Sequence, residues 1–230
     1  MKSMQNEIKA VVFDMDGVIF DTERMFLEAW RIIGDKYKIS DVEESAIGCI
    51  GLSQEDSMAL LLNKYGNDFP VEKYRQEIWN IVECRMNTTE IPIKSGVKEI
   101  LNYISNKKIP LGLASSTHTE RVVASLKRAE IEHYFDVIVG GDMIEHSKPD
   151  PQIYLLACEK LNVEPKNAIA IEDSRNGILS AFRAGMNPII VPDILQPDDE
   201  MLSMACEKFE NLLQVKEFLH KKISTLWNKS

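Results

Sequence analysis

Cysteine, positive charge and long apolar runs are all scarce in this sequence, and each shortage removes a class of protein. The four cysteines, Cys49, Cys84, Cys158 and Cys206, lie far apart and form neither a C-x-x-C pair nor a Cys/His cluster. That spacing speaks against a disulfide scaffold or a thiolate metal site, and reduced, mostly buried thiols are expected. No segment approaches the roughly 20 apolar residues that cross a bilayer. The amino-terminal MKSMQNEIKA has no apolar stretch of signal-peptide type, so a cytoplasmic setting without a membrane partner is expected. With 27 Lys and Arg against 36 Asp and Glu, the net charge is -9. Nonspecific nucleic-acid binding is therefore disfavoured. A small anionic ligand is not, because a few placed cations and a metal can reverse the field locally. Internal repeats and low-complexity segments are absent as well.

What is there is an ordinary globular composition, 44% hydrophobic and 27% charged, long enough to bury a core without staples. Short apolar runs at Ala10–Phe13, Leu111–Ala114, Val137–Val139, Ala168–Ile171 and Pro188–Val191 punctuate the chain. Several are apolar on both alternations, as strands covered on both faces are. Helical patterns near Val97–Lys107, Thr119–Ala129, Pro151–Leu161 and Ser174–Ala184 fall between them. The resulting β-α-β rhythm predicts an α/β fold, a Rossmann-like doubly wound parallel sheet with helices on both sides.

From Thr22 to about Thr89 the rhythm stops. Apolar residues there recur at helical spacing, as in Phe26, Leu27, Trp30 and Ile33 or Tyr74, Ile78, Trp79 and Val82, with breaks around Gly48–Gly51 and Gly66–Pro70. The expected organisation is an α/β domain from 1–20 and 91–230 with a helical domain, 21–90, inserted after the first strand. A single mixed domain with extra helices is the alternative. Lys221 to Ser230 reads as a frayed tail.

Four strand ends carry polar groups. The first run, Val11-Val12-Phe13, stops at Asp14-Met15-Asp16-Gly17. Residues two apart in an extended chain face the same way, so Asp14 and Asp16 can converge where open α/β sheets place their ligands. Two exposed turn residues would look the same. Glu172-Asp173 follows another apolar run; alone, Asp173 or Ser174 reads as a helix cap. Carboxylates at the same end of two strands, however, make a hard-oxygen site suited to Mg2+. Ser115-Ser116-Thr117 can cradle a phosphate or merely cap a helix. Lys148 sits in Ser147-Lys148-Pro149-Asp150-Pro151, where two prolines stiffen the loop and favour a fixed counter-charge over a solvated one.

In this order the motifs DMDGVIFDTE (Asp14 to Glu23), SST, SKPDP (Ser147 to Pro151) and IEDSRNG (Ile171 to Gly177) resemble those of the haloacid dehalogenase-like phosphohydrolases. The resemblance runs from Ala10 to Val191. It implies that Asp14 attacks phosphorus and that Asp16 is the acid–base partner. It also implies that Ser115 and Ser116 bind phosphate and that Lys148 neutralises both the phosphate and Asp14. Mg2+ is placed by Asp14, the backbone carbonyl of Asp16 and Asp173, with Glu172 as a further ligand or beside the ligands. The family's dehalogenases lack the second aspartate, so Asp16 points to phosphate-ester hydrolysis.

The helical insertion is similar to the family's small cap, and Gly51 to Ser57 resembles the specificity loop of the β-phosphoglucomutase subgroup. Glu23, Phe26, Leu52 and Gln54 are the substrate residues this implies. Two of them depart from the mutases, which carry arginine at the position of Gln54 and histidine at that of Phe26. The departures move the expectation from a mutase to a phosphatase of a small phosphorylated metabolite, a sugar phosphate or phosphoglycolate-like ester. A monomer or weak homodimer is expected.

Overall fold

A computed structural model describes residues 7–50, 52, 54–88 and 92–227. Six strands form one sheet: β1 (Ala10–Phe13), β2 (Leu111–Ala114), β3 (Val137–Val139), β4 (Ala168–Glu172), β5 (Asn187–Ile190) and β6 (Glu207–Lys208). All neighbours are parallel, in the order β3-β2-β1-β4-β5-β6. Every residue of β1, β2 and β4 is buried, which is why these runs show no alternation of polar and apolar residues. Register sets the strand ends level. Phe13 stands beside Leu113 on one side and Ile171 on the other. The order reverses beside β1, between β1 and β4, where an open sheet leaves a crevice at its carboxyl edge.

The chain divides into two compact units, residues 1–20 with 93–230, and residues 21–92. In the second unit the described residues form four helices and no strand: α1 (Thr22–Tyr37), α2 (Val42–Cys49), α3 (Gln54–Tyr65) and α4 (Val71–Thr88). They enclose their own core, in which Tyr74, Ile78 and Val82 recur one helical turn apart against Trp30, Ile33 and Leu61.

The first unit adds α5 (Val97–Asn106), α6 (Thr119–Arg128), α7 (Gln152–Lys160), α8 (Arg175–Arg183), α9 (Asp199–Met204) and α10 (Leu212–Trp227). Ile153, Tyr154 and Ala157 of α7 and Ala181 of α8 pack on Val12, Ala114, Ala168 and Ala170 of the sheet. By alternation Val11, Phe13 and Ile171 face the other way. α5 buries Val97, Ile100, Leu101 and Ile104, and α10 packs against it.

The tail corrects an expectation. The last helix runs on through Lys221 to Trp227, with Ser230 outside the described residues. Leu212, Val215 and Leu219 form one buried stripe that anchors this helix.

Candidate active site

The polar groups at the strand ends converge in the first unit. β1 does not stop at Phe13 in its hydrogen bonding: the Asp14 amide donates to Ile171 O at 3.0 Å, which carries the β1–β4 ladder into the carboxylate. Gly17 then turns the chain with φ +78, a conformation that suits glycine. It is also a close approach, since a Cβ there would lie 2.0 Å from Asp173 Oδ2. The Asp173 carboxylate therefore rests directly against the backbone that follows Asp16. Ser115, fully buried, ends β2 and donates its amide to Val139 O at 3.0 Å. Its Oγ accepts the Thr117 amide at 3.1 Å, and Thr117 Oγ1 in turn donates to Asp16 Oδ2 at 3.2 Å.

Lys148 arrives on a stitched loop that follows β3. Gln152 Oε1 accepts the amides of Glu145 and His146, each at 2.9 Å, and Asp150 Oδ1 accepts the Gln152 amide at 2.9 Å. Ser180 Oγ holds the Asp150 carbonyl at 2.6 Å, and the Lys148–Pro149 bond is cis. The ammonium donates to Asp14 Oδ1 at 2.5 Å, Glu172 Oε1 at 2.7 Å and Ala114 O at 3.1 Å. With the Tyr154 hydroxyl at 3.4 Å as a fourth, longer contact, all three N–H bonds are engaged. Lys148 and Glu172 side chains are 7% and 0% exposed.

Glu172 is surrounded by donors. Oε1 accepts Lys148 Nζ and the Tyr154 hydroxyl, each at 2.7 Å. Oε2 faces the amides of Asp173 (3.2 Å) and Ser174 (3.4 Å) and the Ser174 hydroxyl (3.1 Å). Ser174 also caps α8, accepting the Gly177 amide at 3.1 Å. With five donors on two oxygens, Glu172 has little capacity left for a metal.

Charge in this cluster is unbalanced. Burial lifts the Asp14 carboxyl well above its ordinary value; Lys148 pulls it back, while Glu172 and Asp16 push it up again. Burial also opposes the Lys148 ammonium, yet Asp14 and Glu172 outweigh it and hold its pKa above the usual value. Both members of the pair are thus shifted upward. The ammonium faces two carboxylates, whereas Asp14 faces one cation and two anions. Burial and then Glu172 keep the Tyr154 phenol far above its ordinary range, so it is a hydrogen-bond donor at neutral pH.

Asp14, Glu172 and Asp173 offer oxygens within 4.8 Å of one another, against a single ammonium. A hard, oxygen-only, net-negative donor set fits a divalent cation. Since Glu172 is occupied, Asp14 and Asp173 are the side chains best placed to hold one.

Not every expected residue joins the cluster. Ser116 is exposed, and it is Thr117, one residue on, whose hydroxyl reaches Asp16. Tyr154 was missed because a tyrosine beside Ile153 at helical spacing reads as core. Its only sequence signal is its place one turn into the helix that follows the Lys148 loop. In the second unit, Phe26 is half-buried with its ring 5.6 Å from that of Trp79, and Leu52 is exposed. Phe26, Trp30, Leu61, Ile78 and Trp79 line a cavity of about 400 Å3 inside that unit. Glu23 lies in the first turn of α1, and the side chain of Gln54, like Gly51 and Ser53, lies outside the described residues.

Comparison with known proteins bears on the same residues. The family model described as haloacid dehalogenase-like hydrolase matches residues 11–191. A phosphorylated carbohydrates phosphatase of Thermotoga maritima is 34% identical over 182 residues, 79% of this chain and 84% of that protein. A beta-phosphoglucomutase of Bacillus subtilis is 30% identical over 219 residues, 88% and 96% of the two chains. The crystal structure of a beta-phosphoglucomutase from Clostridium difficile superposes with a TM-score of 0.72 at 27% identity, covering 95% of this chain and 98% of that one. The family match spans all four motifs and the strands β1 to β5 that align them, and the chain belongs to the haloacid dehalogenase-like hydrolases.

Proposed function

We propose that the protein is a Mg2+-dependent phosphatase of a small phosphorylated metabolite, of the sugar-phosphate or phosphoglycolate kind, working through an aspartyl-phosphate on Asp14. One observation carries the reading: a buried strand-end carboxylate is held 2.5 Å from a buried ammonium, beside a second acidic strand end. That is the arrangement expected of a nucleophile that must approach an anion.

In this reading an Asp14 oxygen attacks phosphorus, the bond from phosphorus to the ester oxygen breaks, and Asp16 gives that oxygen its proton. Asp16 then takes a proton from the water that attacks the aspartyl-phosphate, which releases phosphate and restores both carboxyls. Thr117 holds the Asp16 carboxylate during the exchange. Lys148 offsets the charge of Asp14 and of the phosphoryl group, and Ser115, whose hydroxyl lies at the end of β2, binds a phosphoryl oxygen. Asp14, the Asp16 carbonyl and Asp173 would hold Mg2+, which would neutralise charge on the transferring group. Choice among esters falls to the helical unit, through Glu23, Phe26, Leu52 and Gln54.

A phosphomutase is the second reading, favoured by the likeness to the B. subtilis enzyme. Phe26 and Gln54, at positions where the mutases carry histidine and arginine, weigh against it. A panel of phosphorylated metabolites assayed with Mg2+ for released phosphate separates the two. Net release is expected; interconversion of glucose phosphates without release would sink the phosphatase reading. Asp14→Asn should lower turnover of an aryl phosphate by about a thousandfold or more, and chelation of divalent metal should abolish it until Mg2+ is restored. Unchanged turnover in either experiment contradicts the roles assigned here.

A further inference from the structure

Tyr154 is the largest fully buried side chain among the described residues, and it ends in the cluster just described. Its ring packs with Val12, Ile153 and Ala157 in the core under the sheet. Its hydroxyl donates to Glu172 Oε1 at 2.7 Å, on the oxygen that also receives Lys148. The same hydroxyl lies 3.4 Å from Lys148 Nζ, and the ring centroid is 4.9 Å from it. Tyrosine here therefore touches both members of the Lys148–Glu172 pair.

We propose that Tyr154 is a positioning residue for phosphoryl transfer, one that locks Glu172 so that Glu172 in turn holds the Lys148 ammonium on Asp14. The inference rests on the phosphatase reading of Asp14. The geometry assigns each contact a task. On its Oε2 side Glu172 is pinned to the start of α8 by Ser174 and two amides. On its Oε1 side Tyr154 supplies the neutral donor that fixes the rotation of the carboxylate, with Lys148 as the other partner. Without the phenol, Oε1 answers to Lys148 alone, and the ammonium can follow whichever carboxylate moves. A bare core tyrosine would need a partner for its hydroxyl but not this one. Here the hydroxyl is spent on the carboxylate that steers the site's buried cation, and a misplaced charge near the reacting atoms costs rate rather than affinity.

The test uses the full chain, 4-nitrophenyl phosphate and Mg2+, with wild type, Tyr154→Phe, Glu172→Gln and the double variant. Tyr154→Phe should lower kcat about tenfold, the range of a lost hydrogen bond to a charged group. KM should stay within about twofold, because ground-state binding is not what the lock serves. In the Glu172→Gln background the same change should cost almost nothing, since the residue through which Tyr154 acts has already been altered. Wild-type kcat in Tyr154→Phe, or a loss that multiplies fully with that of Glu172→Gln, overturns the inference. A fall in kcat that tracks only a fall in folded protein overturns it too. If Tyr154→Phe does not fold, Tyr154→Met carries the same comparison, and failure of both assigns the residue to the core alone. A wild-type chain without turnover removes the phosphatase reading and the inference with it. A wild type that turns over, and loses turnover in Asp14→Asn, leaves the reading in place whichever way Tyr154 falls.

Discussion

Replacing Lys148 by methionine isolates the electrostatics of the site. Its ammonium sits 2.5 Å from Asp14 and 2.7 Å from Glu172 at 7% exposure. At an effective dielectric near 20, each contact is about 6 kcal/mol of gross attraction, most of which offsets the cost of taking the charges out of water. Removing one partner of a buried pair leaves that cost uncompensated, about 3–5 kcal/mol. For a chain of this length that corresponds to a fall in Tm of about 6–20 °C at neutral pH. The stranded carboxylates can escape by binding a proton. Asp14 is already raised above its ordinary 3.8 by burial, and losing Lys148 removes the influence that lowers it. The folded variant then keeps a proton that the unfolded chain releases near pH 4, so its stability falls as pH rises above that value. Melting wild type and Lys148→Met in matched salt should show a Tm gap that is wide at pH 7.5 and narrows or reverses towards pH 5. A gap of the same size at both pH values, or a variant as stable as wild type at pH 7.5, refutes the argument. Turnover of an aryl phosphate should fall by about a hundredfold to a thousandfold.

Gly17→Ala should be costly for its size. The residue needs φ +78, and its new methyl would meet Asp173 Oδ2 at 2.0 Å. A loss of about 1–3 kcal/mol in urea unfolding is expected, with activity that demands more Mg2+; wild-type values of both would contradict the close approach. Thr117→Val removes the hydroxyl that donates to Asp16 Oδ2 at 3.2 Å. If Asp16 protonates the departing oxygen, kcat should fall several-fold more for an alkyl phosphate than for 4-nitrophenyl phosphate, whose leaving group needs little help. Equal losses on both esters would detach Thr117 from the proton transfer.

Much of this was legible in the chain, for reasons that differ by residue. β1, β2 and β3 fall on the expected bounds because short apolar runs between polar strand ends have few alternative readings. β4 runs one residue further, to Glu172, because a buried carboxylate with five donors can sit in a strand as an apolar residue does. β6 was invisible: two half-buried residues, Glu207 and Lys208, give neither period nor apolar run. Within the site, Asp14, Asp16 and the Glu172-Asp173 pair stand out because charge at a strand end is conspicuous, and Lys148 because Pro149 and Pro151 stiffen its loop. The division of labour between Glu172 and Asp173 does not show in adjacent letters. It depends on which carboxylate meets Tyr154 and Ser174, and those contacts are long-range or conformational. Thr117, not Ser116, reaches Asp16 because residues two apart face the same way: Thr117 falls on the side of buried Ser115, and Ser116 between them is exposed.

The helical unit is attached in a way that matters for its history. The chain leaves the sheet unit at Phe20 and returns at Ile93, and these two residues form an antiparallel bridge, backed by the Lys94 amide on Ile19 O at 2.8 Å. Exit and re-entry are thus fastened to each other inside the sheet unit. A connection closed at its base asks nothing of the length or content of what hangs from it, since loop closure grows only slowly with length. Asp14, Asp16, Glu172, Asp173 and Lys148 all lie on the fastened side. The seventy-odd residues between can be lengthened, exchanged or rebuilt as a cassette without disturbing the strand ends that hold the cluster.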